Sequence, residues 1–180
     1  VNKPYRGWKL TLFEGGVHVP MLAQWPAHLP AGVDYPHPVT SMDIVPTAAA
    51  AAGATMPADR VIDGVNLLPH LRGERDAAPH EALFWRSGSY QMVIADGWKL
   101  QVAERPRKTW LFHLDTDPTE QHEVSARFPE RVEALRARLA QHNAAMLEPA
   151  WPSLVELPVQ IDKTLLDAES ADDEYVYWLN

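Results

Sequence analysis

Residues 81–115 contain four short runs, "EALFWRSG", "YQMVIADG", "WKLQVAE" and "TWLFHLD", each rich in aromatic and β-branched side chains. Turn signals separate them at Ser87-Gly88, Asp96-Gly97 and around Pro106. Asp-Gly between two alternating apolar runs favours a tight hairpin, because both residues tolerate the positive φ that such a turn demands. Connections this short make neighbouring strands antiparallel, so the runs predict a four-stranded meander. Its apolar surface needs a cover, and "PERVEALRARLAQHNAAML" supplies one. Val132, Leu135, Leu139 and Met146 recur at helical spacing, Pro129 fits the first turn, and Glu130 and Glu133 sit near the positive helix end. Such a helix is marginal alone, so burial against the sheet is its expected source of stability.

The flanking segments read less regularly. "LFEGGVHVPMLAQW" (12–25) predicts a turn at Gly15-Gly16 followed by a strand through Val17, Val19, Leu22 and Trp25, with Pro20 at an edge. "PAHLPAGVDYPHP" is an extended surface loop. "SMDIVPTAAAAAGA" predicts a helix capped by Ser41 or Asp43, with Pro46 in its first turn and Gly53 at its C-terminal cap. "DGVNLLPHLRGE" is a connector with a turn at Asp63-Gly64 and one helical turn. The tail is irregular until "DDEYVYWLN", a last strand or a docking segment that covers an edge.

Composition removes several classes of function. With 16 basic and 24 acidic residues the net charge is −8, against the clustered cations that nucleic-acid binding needs. No apolar run approaches the ~20 residues of a membrane helix. The absence of cysteine excludes disulfides, thiolate ligands and cysteine nucleophiles. The eight histidines, at 18, 28, 37, 70, 80, 113, 122 and 142, form no tight ligand pair, and His142 is expected on an exposed helix face. Asp115, Asp117, Glu120 and Glu123 lack the glycine and spacing of a calcium loop and read as turn and helix-start chemistry. No metal site is therefore expected. No serine occupies a nucleophile elbow, no phosphate loop appears, and Ser41 reads as a cap.

The densest chemistry is "YRGWKLTLFEGGVHVP", residues 5–20. Lys9 lies between Trp8 and Leu10, which either hold its stem so that the ammonium faces an anion or leave it solvated beside a hairpin. An ammonium fixed in a pocket suits an oxygen on which negative charge grows. Gly15-Gly16 allows positive φ or close chain approach. Starting at Val1 without methionine and reaching this stretch almost at once, the chain is expected to be the C-terminal portion of something longer.

"RGWKLTLFEGGVHVPMLAQWPAHLPAG" resembles the second signature region of the formylglycine-dependent sulfatases, R-G-x-K-x-x-x-x-E-G-G-x-R-x-P followed by an apolar strand, Trp-Pro and a Pro-Gly loop. "SMDIVPTAAAAAGA", "DGVNLLPHLRG", "VIADGWKLQ" and "LFHLDTDPTEQHEV" resemble later motifs of that family in the same order, so that residues 4–148 are nearly covered. The resemblance implies an α/β architecture in the alkaline phosphatase superfamily. Residues 1–78 would be the last segments of the large α/β domain. Residues 79–180 would be a small α+β subdomain: a four-stranded antiparallel sheet packed on a long helix, with an extended tail.

It further implies that Lys9 contacts the sulfate group of a sulfate ester, while Glu14, Gly15 and Gly16 shape the loop. His18 stands where the family has arginine and receives no catalytic role. The formylglycine nucleophile and the calcium ligands would lie in the missing N-terminal part, so this chain alone is expected to be inactive. Any signal peptide would also lie upstream, which leaves the compartment open. Two alternatives stand beside this reading. One is a non-catalytic binding module using Trp85, Trp98, Trp110 and Trp178; the other is part of a related phosphoester hydrolase, since Lys9 alone does not separate sulfate from phosphate.

Overall fold

The computed structural model describes residues 2–179. In chain order they form α1 (Glu14–Val17), a 3-10 turn (Ser41–Asp43) that runs into α2 (Ile44–Ala51), α3 (Leu68–Leu71), β1 (Leu83–Ser87), β2 (Tyr90–Ala95), β3 (Trp98–Glu104), β4 (Arg107–His113), α4 (Pro129–Ala145), β5 (Glu156–Gln160) and β6 (Tyr175–Leu179). Contacts divide the chain into two compact units, residues up to 20 together with those from 82 onward, and residues 21–81.

The first unit is built on the meander, in strand order β1-β2-β3-β4 with every pair antiparallel. Asp96 and Gly97, the two residues between β2 and β3, both take positive φ (53° and 75°), as a hairpin of matching twist requires. Alternation then sorts the side chains. One face carries Val93, Ala95, Leu100 and Leu111, which pack with Leu135 and Leu139 of α4. Met146, read as part of that apolar stripe, lies past the end of α4 and is 49% exposed. His142, expected to be exposed, is half-buried, its ring stacked 4.1 Å from that of Phe84.

The opposite sheet face carries Tyr90, Ala103, Trp110 and Phe112, which form a second core with Phe13, Ile161 and Val176. This cover comes from the opening stretch and the tail. The final aromatic run does form a strand, β6, and its partner is β5, pairing Leu157 with Trp178 and Val159 with Val176. β5 is hard to see in the sequence because Pro158 interrupts it; the two-stranded ribbon tolerates a residue without a backbone donor. The end of β6 docks on the first hairpin, where Ser87 Oγ donates to the Leu179 carbonyl at 3.2 Å.

Residues 12–25 depart from the expected turn and strand. Glu14–Val17 is a helical turn and the following residues form no strand. Val17 and Val19 alternate as a strand would, but close approach rather than β-pairing governs here. A Cβ on Gly16 would meet the Thr11 carbonyl oxygen at 2.1 Å, and one on Gly15 the Gly7 oxygen at 2.3 Å. The diglycine thus serves close packing, and neither residue takes positive φ.

In the second unit, the buried carboxylate of Asp43 organises the start of α2. It accepts from the backbone amides of Thr40 (2.9 Å) and Val65 (2.8 Å) and meets His80 Nε2 at 2.9 Å. Thr47 Oγ1 accepts from the Leu67 amide at 2.9 Å, tying the connector to α2 just ahead of α3. Gly53 ends the helical segment at φ +68°.

Candidate functional site

The opening stretch folds back on itself before it reaches the sheet. The Thr11 amide donates to the Trp8 carbonyl at 3.0 Å, closing a tight turn with Lys9 and Leu10 at its tip. Leu10 takes φ +86°, a conformation that is uncommon for a residue with a Cβ and is found at sites the surroundings over-determine. The surroundings here are specific. Thr11 Oγ1 donates to the Trp8 carbonyl (2.9 Å) and accepts from the Trp8 amide (3.2 Å). Trp8 Nε1 donates to the Gln160 carbonyl in β5 at 2.8 Å. Gly16 presses on the Trp8 and Thr11 carbonyls from behind. Lys9 is exposed, and among the described residues nothing pairs with its ammonium.

Glu14 turns the other way. Its carboxylate accepts from Lys99 Nζ at 2.7 Å and meets His18 Nδ1 at 2.8 Å. Lys99 is fully buried on β3 and makes a second ion pair with the buried Glu120 at 2.9 Å. Glu120 also takes the Glu14 amide and the Gln101 side-chain amide. Gln101 accepts from the Tyr90 hydroxyl, which in turn accepts from the Leu12 amide at 3.0 Å. One ammonium thus faces two carboxylates inside the molecule. Burial drives the Glu120 carboxyl above its ordinary pKa, against the lowering effect of Lys99, and burial likewise raises the Tyr90 hydroxyl.

Arg6 forms the outer clamp. Its guanidinium lies 4.7 Å over the Phe13 ring and pairs with Asp162 (3.1 Å) and with Glu174, which also takes Lys108 Nζ at 2.7 Å. Glu174 is held below its ordinary pKa: burial raises it, but the bonds from Lys108 and Arg6 outweigh that cost.

The structure therefore brings Lys9, Gly15 and Gly16 into one packed loop and points Glu14 inward, away from solvent. No sequence motif singles out Lys99, Gln101 or Tyr90, and Glu120, expected in turn chemistry, is instead a buried partner of Lys99. The available signal was the alternation of "WKLQVAE", which sets Lys99 and Gln101 on the face opposite Trp98 and Leu100. Asp117 does make turn chemistry, accepting from the Gln121 and His122 amides. Trp98 and Trp110 lie on opposite sheet faces, Trp110 in the core and Trp98 against Phe128, so the four tryptophans make no single binding face. Among the described residues no group of His, Cys, Asp and Glu is arranged to hold a metal, and no helix is long and apolar enough to cross a membrane.

The family described as N-sulphoglucosamine sulphohydrolase, C-terminal, matches residues 6–146. Steryl-sulfatase of Rattus norvegicus is 38% identical over 117 residues, which cover 65% of this chain and 20% of that protein. N-acetylgalactosamine-6-sulfatase of Homo sapiens is 33% identical over 186 aligned positions, covering 85% of this chain and 35% of that protein. The crystal structure of Ps i-CgsB superposes with a TM-score of 0.73 at 30% identity, over 84% of this chain and 34% of that one. The chain thus spans about a third or less of the length of these relatives. Its signature loop, antiparallel meander and covering helix all fall within the matched region, and the chain belongs to the family of sulfatase C-terminal domains.

Proposed function

We propose that this chain is the C-terminal part of a sulfatase that hydrolyses sulfate esters, and that Lys9 holds sulfate oxygens in its active site. The observation that carries the reading is the Lys9 turn itself. An ammonium with no partner among the described residues stands on a turn held with Leu10 at φ +86°, braced by Trp8, Thr11 and Gly16, inside the region that matches sulfatases. An uncommon backbone conformation at Leu10, next to an exposed cation, is of the kind that clusters at ligand-binding sites. When a nucleophile attacks sulfur and the ester S–O bond breaks, negative charge moves onto sulfate and leaving-group oxygens. A pre-placed ammonium stabilises that charge without reorganising.

The calcium and formylglycine expected of such an enzyme do not fit the residues described here, which include no cysteine and no metal-holding group. Both are assigned to the remainder of the protein, and no step is derived through them. On this reading residues 1–78 complete the large domain, residues 79–180 form the small subdomain, and the isolated chain is inactive. Assays with an aryl sulfate and the corresponding aryl phosphate test the proposal. The intact enzyme should turn over the sulfate in preference, and the isolated 180 residues should turn over neither. Preference for the phosphate would overturn the substrate class, and turnover by the isolated chain would overturn the division of labour.

A further inference from the structure

We propose that Lys99 and Glu120, two buried residues of the sheet unit, are positioning residues for the turn that presents Lys9. This rests on the reading of Lys9 as a sulfate-binding group. Their buried charges have an energetic cost: one ammonium and two carboxylates are removed from water, where well-packed apolar side chains would stabilise the fold as well. What the arrangement provides is direction. The Glu14 amide and carboxylate are taken by Glu120 and Lys99 respectively. The Leu12 amide is taken by Tyr90, which Gln101 orients and Glu120 orients in turn. The Arg6 amide is taken by the Thr119 carbonyl at 3.2 Å.

The loop is therefore held on both sides of Lys9, three residues before it and three and five residues after it, by groups from β2, β3 and the segment before α4. Glu14 begins α1, and Gly16 within it bears on the carbonyls of Trp8 and Thr11, the two residues whose N–H···O bond closes the Lys9 turn. Moving Glu14 moves Gly16, and moving Gly16 moves the turn, because these contacts leave no free space. Displacement of a charge-stabilising group by ~1 Å is enough to cost on the order of a hundredfold in rate.

A double-mutant cycle in the intact enzyme tests this, with aryl sulfate turnover per folded molecule as the readout. Lys99→Met is expected to lower kcat by about tenfold or more, and to have less than about a twofold effect in a Lys9→Ala background, because its action runs through Lys9. Glu14→Ala, which leaves Lys99 paired with Glu120, carries the same cycle should Lys99→Met fail to fold. Glu14→Gln, which can still accept from Lys99, should restore most of the rate. Equal costs with and without Lys9, or a wild-type rate in Glu14→Ala, would overturn the positioning role. A wild-type rate in Lys9→Ala alone would instead overturn the sulfate-binding reading, and the positioning role with it.

Discussion

Glu14 Oε1 and Lys99 Nζ meet at 2.7 Å across 85 residues of sequence, one on the first helical turn and the other on the third strand of the meander. That bond joins the stretch with the densest chemistry to the sheet with the strongest structural signal. It also explains why the opening residues belong to the same compact unit as residues 82 onward. A signature loop alone would be a short, glycine-containing segment with few apolar contacts. Phe13 in the core, Arg6 in the outer clamp and Glu14 in the inner one make it part of a folded body.

Gly16→Ala should disrupt this loop far more than Gly32→Ala. A methyl at position 16 would lie 2.1 Å from the Thr11 carbonyl, whereas one at position 32 meets nothing within 4 Å and is penalised only by its φ of +68°. The αL penalty at position 32 is about 1–2 kcal/mol; Gly16 takes no positive φ, and its variant is penalised instead by a clash with backbone that cannot give way as a flexible side chain would. Thermal unfolding should rank the variants wild type, Gly32→Ala, Gly16→Ala in decreasing stability. Equal midpoints for the two alanine variants would contradict the close packing.

Asp43→Ala should be among the most destabilising polar substitutions in residues 21–81. It strands the Thr40 and Val65 amides and the His80 ring nitrogen, and each buried donor left unmatched costs about 1–3 kcal/mol. Hydrogen exchange at the Val65 and Thr40 amides reads the effect directly. Unchanged protection there would rule out the capping role.

The two buried or half-buried glutamates of the loop clamps should give opposite pH dependences. Glu174 has a lowered pKa in the fold. Its contribution is therefore present above the unfolded value of about 4.3 and is lost as pH falls through the folded value. Glu120 has a raised pKa. Its contribution is therefore full below about 4.3 and is lost as pH rises through the folded value. Denaturation curves should show a shallower acid-side loss of stability in Glu174→Gln, and a shallower loss on the rising side in Glu120→Gln. Identical slopes to wild type in both variants would refute these assignments.

The meander and its helix were legible because turn chemistry and periodicity agree there: Asp96-Gly97 takes the positive φ values that the hairpin needs, and Leu135 and Leu139 fall on the buried stripe. The opening loop was legible in its chemistry and misleading in its geometry. Val17 and Val19 alternate, and nothing local reveals that Gly15 and Gly16 are pressed against carbonyls of residues 6–11. The inner clamp was invisible for a related reason. Lys99 and Gln101 alternate with apolar neighbours as a solvent-facing row does, and only long-range packing of Phe13, Ile161 and Val176 turns that row inward. β5 was concealed by Pro158, and only its pairing with β6 identifies it.

The role of Lys9 is tested most directly by the rate of aryl sulfate hydrolysis in the intact enzyme carrying Lys9→Ala. Loss of one charge-stabilising donor should lower kcat by about a hundredfold or more, with the unfolding midpoint unchanged because the ammonium is exposed and unpaired among the described residues. A wild-type rate in a folded Lys9→Ala enzyme would contradict the account.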